Sequence, residues 1–282
     1  MPHSSSDMGS PTKARPFLKW VGGKSSLLPL LLERVPDRID EYYEPFLGGG
    51  SLFFALASRG RLRHAHLSDV NKDLVLTYNA VRDDVDAVIQ ALRTHAELSC
   101  EEHYYEARDL FNSGALDPIE TAATMIYLNR VGFNGVWRVN SSGELNVPWG
   151  RRDDFCPDED GLRASSMVLA QADISHRQFD STPVGADGFY YFDPPYDATY
   201  EKYTKGGFGR DCHERLADYT EKLDVVGAKW LLSNSGTDFV RSLWAGRKIE
   251  DVEVCRRVGG SGASRGKAKE ILVSSEWLGV SS

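Results

Sequence analysis

The sequence predicts an α/β fold with a mostly parallel sheet and an antiparallel edge strand. Short apolar strand segments alternate with amphipathic helical segments near both ends of the 282-residue chain. The helical segments connect successive strands, which is the connection that parallel pairing requires. The last two strand segments, near 249–257 and 270–276, follow each other without a helix. They can pair only as a hairpin, and this pairing supplies the antiparallel edge.

Composition and charge narrow the class of protein. With 41% hydrophobic and 26% charged residues, the chain is typical of a globular protein of one or two domains. Its 33 basic and 41 acidic residues give a net charge of −8. This charge argues against a protein that coats DNA by bulk attraction, but it leaves room for a local basic cleft.

The cysteines and the apolar segments indicate the cellular location of the protein and whether it binds metals or membranes. The four cysteines are far apart and lack CxxC spacing, and we see no histidines at metal-ligand spacing, so we expect no metal site. No apolar stretch is long enough to span a bilayer. We therefore expect a cytoplasmic protein that does not bind membranes, with residues 1–15 as a flexible leader.

The first elements frame a glycine loop. Residues 42–46 predict a short buried strand that runs into Gly48-Gly49-Gly50, and Ser51 is expected to cap the next helix. A second strand over 64–68 precedes a helical pattern over 71–81. This order of strand and helix is typical of a parallel, helix-covered sheet.

In the middle of the chain the alternation of strands and helices is interrupted. The sequence pattern there predicts an inserted, mainly helical module over 83–165. Its predicted elements are helices at 85–98, 101–112 and 118–130, then a β-hairpin formed by 136–139 and 145–148. The alternation then resumes with strands near 168–172, 188–192 and 229–233 and helices at 211–226 and 236–245. We therefore expect one domain built from 16–82 and 166–282, interrupted by this module.

The segment from Glu44 to Gly50 is the first candidate site. Glycines there let the backbone approach a ligand closely, and the following helix N-terminus favours an acidic group. Asp69 ends the next strand, a position from which a carboxylate can accept both hydroxyls of a ribose. A plain turn followed by a capping aspartate would explain the same residues, so this motif alone does not distinguish a ligand site from a structural turn.

The second candidate site is Asp193-Pro194-Pro195-Tyr196, directly after an apolar strand. The two prolines stiffen the turn and leave carbonyl groups available as acceptors. The Asp193 carboxylate and the Pro194 carbonyl can accept the two hydrogens of an amino group, while Tyr196 stacks on the face of a planar ligand. A rigid loop with a surface tyrosine is the alternative.

The third segment is basic and runs from Phe17 to Lys24. Four bases and no acid fall between Thr12 and Lys24, and Trp20 lies among them. Lys24 is expected to open a helix after two glycines, but the full GxxxxGK[ST] spacing is absent, so an NTPase is not supported. A solvated basic leader would also explain this segment.

In these motifs the chain resembles the Dam-type, alpha-class DNA adenine-N6 methyltransferases. The family order of KWxGGK, EPFxGGGS, SDxN and DPPY appears at 19–24, 44–51, 68–71 and 193–196. Residues 129–150 also resemble the family's NR…NG…R…GEFNVPFG loop. The resemblance implies a Rossmann-like fold that binds S-adenosylmethionine (SAM), with 83–165 as the DNA target-recognition domain.

The resemblance also implies roles for individual residues. It implies SAM contacts for Trp20, Lys24, Phe46, Gly48, Gly50, Asp69, Asp173 and Asp193. Ile174 stands where the family has a phenylalanine after the aspartate equivalent to Asp173. The implied catalytic residues are Asp193, Pro194 and Tyr196, which would hold the N6 amine of a flipped-out adenine.

The expected partner is double-stranded DNA. The resemblance implies contacts with a GATC site through Lys19, Asn134, Arg138 and Pro148. The placement of basic residues on glycine-rich loops adds Arg152, Arg256 and Arg265. Val136 and Arg152 depart from the family pattern, so GATC is the leading hypothesis. A monomer is expected, and a restriction endonuclease acting on the same site is a compatible partner.

Three other functions are compatible with parts of the sequence. A nucleotide-dependent oxidoreductase would use the glycine loop and Asp69, but the GxGxxG pattern is incomplete and DPPY stays unexplained. A catalytically inactive DNA-binding regulator is opposed by the intact Asp193 and Tyr196. Methylation of RNA is opposed by aspartate at 193, where such enzymes more often carry asparagine.

Overall fold

The computed structural model describes residues 13–20, 22–24, 26–196, 208–255 and 267–275. Seven strands of this part form one sheet: β1 Ile39–Glu44, β2 Leu62–Asp69, β3 Ala172–His176, β4 Gly188–Phe192, β5 Lys229–Ser235, β6 Lys248–Cys255 and β7 Lys267–Ser274. Their order is β3-β2-β1-β4-β5-β7-β6. The first five pair in parallel, and β7 pairs antiparallel with both β5 and β6. The predicted α/β fold is confirmed, and the reversed strand β7 lies second from the edge.

Helices cover the sheet. In the described residues they are α1 Leu28–Arg34, α2 Ser51–Ala57, α3 Lys72–Asp83, α4 Val85–Leu98, α5 Glu101–Ser113, α6 Pro118–Val131, α7 Glu159–Leu169, α8 Arg210–Val225 and α9 Asp238–Leu243. Short polar side chains start several of them, as when Asn71 Oδ1 accepts a hydrogen bond from Leu74 N at the start of α3. Among these helices, none combines the length and the apolar character needed to cross a membrane.

The core connects the sheet to the helical module. One continuous apolar cluster begins with Tyr42 of β1 and Phe54 of α2. It extends into the helical module to Val88 of α4, Tyr104 of α5 and Tyr127 of α6. A second cluster covers the other face of the sheet under α8 and α9. The module at 83–165 therefore shares its apolar core with the sheet, and its division from the rest as a domain stays a prediction.

Three local predictions are wrong. The strand predicted near 168–172 is the end of α7, and β3 begins four residues later. The start of α2 is set by Gly50, whose φ of 64° is left-handed, and not by a hydrogen bond from Ser51. Lys24 does not open a helix, because α1 begins only at Leu28.

The predicted β-hairpin is present in reduced form. The two arms meet in a single antiparallel bridge between Val139 and Leu145. Gly143, with φ of 87°, makes the turn. Beyond this bridge, Asn146 N donates a hydrogen bond to Arg138 O at 3.1 Å, and a second isolated bridge joins Gly132 to Trp149, but no continuous strand pair forms among the described residues.

Candidate active site

Three acidic side chains meet at the carboxyl edge of the sheet. Glu44 ends β1 and Asp69 ends β2, while Asp193 directly follows β4. From β1 the chain first builds outward through β2 and β3, and then continues on the other side with β4 and β5. A crevice at such a change of direction is the usual ligand site of an open parallel sheet. The fold thus brings the two sequence-predicted loops together.

Asp193 is held by a buried ion pair. Lys24 Nζ lies 2.6 Å from Asp193 Oδ1, and the side chains are only 8% and 19% exposed. Ser233 donates a hydrogen bond from Oγ to the same oxygen at 3.0 Å. Burial raises the pKa of Asp193 above its usual range, while Lys24 and Ser233 oppose this rise. Among the described contacts, both partners reach Oδ1.

Tyr196 is fixed from two sides. Its hydroxyl donates a hydrogen bond of 2.8 Å to Glu270 Oε2, on β7. The Lys24 ammonium lies 4.7 Å from the centre of its ring, within the range of a cation–π contact. The ring is therefore positioned beside Asp193 before any planar ligand arrives.

Glu44 is the third acid, and it is almost completely buried. Tyr42 donates a hydrogen bond from its hydroxyl to Glu44 Oε2 at 2.9 Å. Burial raises the pKa of Glu44 to about 8, and the charges of Asp193 and Asp69 add to the rise. Glu44 is therefore mostly protonated at neutral pH and contributes little charge to the site.

The glycine loop is tightly packed. Gly48 has φ of 47°, and a Cβ there would lie 2.8 Å from Trp20 Cδ1. Asp69 Oδ2 accepts a hydrogen bond from Gly48 N at 3.0 Å, and Oδ1 accepts one from Asn71 N at 2.9 Å. Burial raises the pKa of Asp69, and these backbone donors oppose the rise. Gly48, Trp20 and Asp69 thus form one cradle, which Gly50 closes with φ of 64°.

An aromatic cluster borders this cradle. Phe46 stacks on Phe179 with ring centres 5.4 Å apart, and Phe208 meets both rings. Sequence reasoning missed Phe179, although an aromatic residue just beyond a strand end was the available signal. The true end of β3 at His176 places Phe179 at the carboxyl edge.

Asp173 is not brought to the Asp193 crevice. It lies opposite His66 in the register, three residues before the carboxyl end of β3. Its carboxylate is 3.1 Å from His64 Nε2 and is largely exposed. The contact with SAM that the resemblance implies for Asp173 stays a prediction, and this placement gives it no support.

The DNA-contact candidates form a second group, which begins at Lys19. Lys19 N donates a hydrogen bond to Asn129 Oδ1 at 2.7 Å, and Asn129 Nδ2 donates one to Lys19 O at 2.8 Å. A Cβ on Gly135 would lie 2.5 Å from Lys19 Cδ, so the lysine side chain lies against the turn that contains Asn134. Burial, then Arg152 and Arg130, lower the pKa of Lys19.

Arg138 and Pro148 lie on the same loop. Arg138 Nε donates a hydrogen bond to Asn146 Oδ1 at 2.8 Å, which holds the guanidinium across the hairpin. Pro148 O accepts a hydrogen bond from Phe133 N at 2.9 Å. Arg138, Pro148 and Arg152 are exposed. The predicted contacts Arg256 and Arg265 lie outside the described residues.

Two aromatic residues connect the loop to its surroundings. Trp137 of the loop stacks on Trp20 of the cradle, with ring centres 6.1 Å apart. Phe133, which sequence reasoning omitted, is 54% exposed beside Asn134. Asn134 itself has φ of 55°, an unusual conformation for a residue other than glycine. Phe133 thus presents an exposed ring next to a turn with left-handed backbone.

Comparison with known proteins adds independent evidence. A family model described as the D12 class of N6 adenine-specific DNA methyltransferases matches residues 20–258. The type II methyltransferase M.MjaIII of Methanocaldococcus jannaschii is 37% identical over 276 residues, covering 90% of this chain and 96% of the relative. The type II methyltransferase M1.LlaDCHI of Lactococcus lactis subsp. cremoris is 35% identical over 273 residues, covering 92% and 95%. The DNA adenine methylase of Escherichia coli (strain K12) is 34% identical over 275 residues, covering 92% and 95%.

Proposed function

The chain belongs to the D12 class of N6 adenine-specific DNA methyltransferases, and we propose that it methylates a flipped-out adenine in GATC sites of duplex DNA with SAM as the donor. The observation that carries this proposal is the placement of Asp193, Lys24 and Tyr196 beside the glycine cradle. One crevice thus combines an acceptor for an amine, a stacking surface and a loop that lets a ligand approach the backbone.

The side chains and the glycine backbone of the cradle are chemically suited to SAM. Gly48 admits no side chain against Trp20, and the Asp69 carboxylate lies at the strand end where a ribose is held in related sheets. Phe46, which is partly exposed and is backed by the buried Phe179, offers an aromatic surface for an adenine. Bound SAM would supply a methyl group that is already activated by the positive charge on sulfur.

The proposed role of Asp193 is to accept hydrogen bonds from the adenine amine. The lone pair of N6 is delocalised into the ring, so the amine is a poor nucleophile. Acceptance of its hydrogens by the Asp193 carboxylate and the Pro194 carbonyl favours a pyramidal nitrogen with an available lone pair. The remaining contribution of the protein is alignment of the two reactants and stabilisation of developing charge.

Lys24 sets the charge of this acceptor. Its ammonium opposes the effect of burial on the pKa of Asp193 and so favours the ionised carboxylate. The ammonium donates to Asp193 where an entering amine would also donate. We therefore expect the adenine amine to share or displace this contact on binding.

The target base has to leave the duplex, since N6 is inaccessible inside the stack. Tyr196, held by Glu270, is the proposed stacking surface for the flipped adenine. Lys19, Asn134, Arg138 and Pro148 are proposed to read the GATC site from the loop around Phe133. Arg138 suits a guanine through bidentate hydrogen bonds in the major groove.

The names of two relatives suggest a biological context. M.MjaIII and M1.LlaDCHI are named as type II methyltransferases, which is compatible with a partner endonuclease that cuts the same site. We propose that this chain acts in the cytoplasm and binds DNA as a monomer. One copy suffices because a palindromic site can be methylated one strand at a time.

The experiment that tests the proposal is methyl transfer from labelled SAM to four substrates. These are a duplex with one GATC site, the same duplex already N6-methylated on both strands, a duplex with the site scrambled, and an RNA of equal length. The proposal expects label on the first duplex alone, recovered as N6-methyladenine. Label on the scrambled duplex would reject GATC as the required site, whereas label on the RNA without label on the GATC duplex would reject DNA as the substrate. DNA binding without incorporation would favour the inactive regulator.

A further inference from the structure

A second cluster of titratable side chains lies on a partly exposed face of the sheet. His64 and His66 alternate along β2, so both emerge on the same face. Glu41 of β1 is opposite His64 in the register, and Asp173 of β3 is opposite His66. Two imidazoles in the centre are thus flanked by a carboxylate on each neighbouring strand.

The distances within this cluster suit a metal ion. Candidate donor atoms of Glu41, His64 and His66 all lie within 4.8 Å of one another, and His66 Nε2 is 2.7 Å from Glu41 Oε2. A tetrahedral zinc site, with ligands about 2.0–2.2 Å from the ion, holds its donor atoms about 3.4 Å apart. The 2.7 Å separation is shorter than that value and no separation exceeds 4.8 Å, so small side-chain rotations bring the donors to one ion.

The surroundings hold one of the rings in place. His66 stacks on Tyr43, with ring centres 4.5 Å apart and an angle of 14° between the planes. Tyr43 is itself buried and stacks on Tyr190 at 4.4 Å. Ligands on paired strands with a packed neighbour lose little conformational freedom when they bind an ion.

We propose that Glu41, His64 and His66 form a binding site for a first-row divalent cation of the zinc type. Imidazole with carboxylate is a donor set that zinc, cobalt and nickel accept readily. Asp173, 3.1 Å from His64 Nε2 and 3.7 Å from His66 Nδ1, adds negative charge beside both rings. His64 and His66 lie side by side because alternate residues of a strand share a face, although their spacing of two residues matches no metal-binding motif considered from the sequence.

The site is built to tie β1 to β2. Glu41 comes from one strand and both histidines from the next, so a bound ion would cross-link them. Glu41 lies three residues before Glu44, away from the Asp193 crevice. The ion is therefore proposed as a structural clamp that takes no part in methyl transfer, and the inference does not depend on the proposed substrate.

The test uses tag-free, full-length protein treated with a chelator and then titrated with Co²⁺, followed by visible absorption, with Zn²⁺ as competitor. We expect one saturable Co²⁺ equivalent that Zn²⁺ displaces. The double variant His64→Gln/His66→Gln should bind Co²⁺ more than about tenfold more weakly. Glu41→Gln, which changes a single partly exposed ligand, should also weaken binding. His176→Gln is the matched control, an exposed histidine on β3 outside the cluster.

Thermal unfolding gives a second readout that does not require activity. A fixed Zn²⁺ concentration just sufficient to saturate the natural sequence should raise the Tm of the natural sequence and of His176→Gln by about 3 °C or more, and it should raise the Tm of either cluster variant by clearly less. Equal Co²⁺ affinity in the double variant, or a thiolate-to-cobalt absorption band, would overturn the proposal. The absence of saturable Co²⁺ binding by the natural sequence would also overturn the proposal. The cluster would then be no more than two hydrogen-bonded His–carboxylate pairs.

Discussion

Lys24 Nζ and Asp193 Oδ1 lie 2.6 Å apart at the carboxyl edge of the sheet. The two residues are 169 positions apart in the sequence (193 − 24), and the fold brings together the basic N-terminal segment and the DPPY motif. Because the carboxylate is the proposed acceptor of the adenine amine, its protonation state is expected to control activity.

Replacement of Lys24 by methionine should move the acid limb of the pH–rate profile to higher pH. Burial raises the pKa of Asp193 and Lys24 opposes this rise, so loss of the ammonium lets the pKa rise further. The ionised acid is the active form, so more alkaline conditions are then needed to obtain it. The measurement is kcat between about pH 5 and 9 at saturating SAM and DNA. Lys222→Met, an exposed position on α8, is the control, and an unmoved limb in Lys24→Met would contradict the assignment.

Two substitutions of Tyr196 should separate its ring from its hydroxyl. Tyr196→Phe removes the hydrogen bond to Glu270 but keeps the stacking surface. Tyr196→Ala removes both, and loss of about 1–3 kcal/mol of base stacking lowers kcat/KM about 5- to 150-fold. We expect Tyr196→Phe to retain most of the activity in steady-state assays with a GATC duplex. Equal loss in the two variants would show that the ring does not act by stacking.

Glu44 should make the free energy of unfolding depend on pH. Its pKa is about 8 in the folded protein against an ordinary value of 4.5, so the folded state holds one more proton between these pH values. The free energy of unfolding should therefore fall by about 1.4 kcal/mol for each pH unit across this window because of this residue.

Glu44→Gln removes this contribution, so the variant should become progressively more stable than the natural sequence as the pH rises. Urea unfolding at several pH values between 5 and 8 measures the difference. Glu33→Gln, at an exposed carboxylate, should follow the natural sequence at every pH. Parallel slopes for Glu44→Gln and the natural sequence would refute a raised pKa at this position.

Gly48→Ala should weaken SAM binding by about tenfold or more, because the new methyl group collides with Trp20 in the cradle. Gly60→Ala is a matched control, since Gly60 has a similar positive φ of 65° but no atom within 4 Å of the added Cβ. Both variants should lose stability from backbone strain, whereas only Gly48→Ala should lose SAM affinity. Calorimetric titration with SAM measures the two affinities, and equal affinities would show that the cradle is not the binding site.

The parts of the fold that local sequence determines were predictable. The apolar run at 188–192 followed at once by Asp193 marks a buried strand and its end, and the structure places β4 at those residues. The glycine loop between β1 and α2 was equally visible, because glycines with positive φ interrupt the apolar pattern. The reversed direction of β7 followed from the lack of a helical sequence pattern between the last two predicted strands.

The features that depend on tertiary packing were not predictable. The apolar Val168 and Leu169 at the end of α7 imitated the start of a strand, so the predicted strand began four residues before β3. The pairing of Lys24 with Asp193, and of Tyr196 with Glu270, joins segments with no local relationship. Such contacts are set by strand order, which a single motif does not reveal.

The most direct test of the proposed active site is single-turnover methyl transfer to a GATC duplex by Asp193→Asn, with Asp187→Asn as the matched control. Asp187 is an exposed carboxylate just before β4. The proposed role of Asp193 predicts a rate at least about 100-fold lower for Asp193→Asn, with SAM and DNA still bound, and an unchanged rate for Asp187→Asn. Methyl transfer by Asp193→Asn at the natural rate would contradict the assignment of Asp193 as the acceptor of the adenine amine.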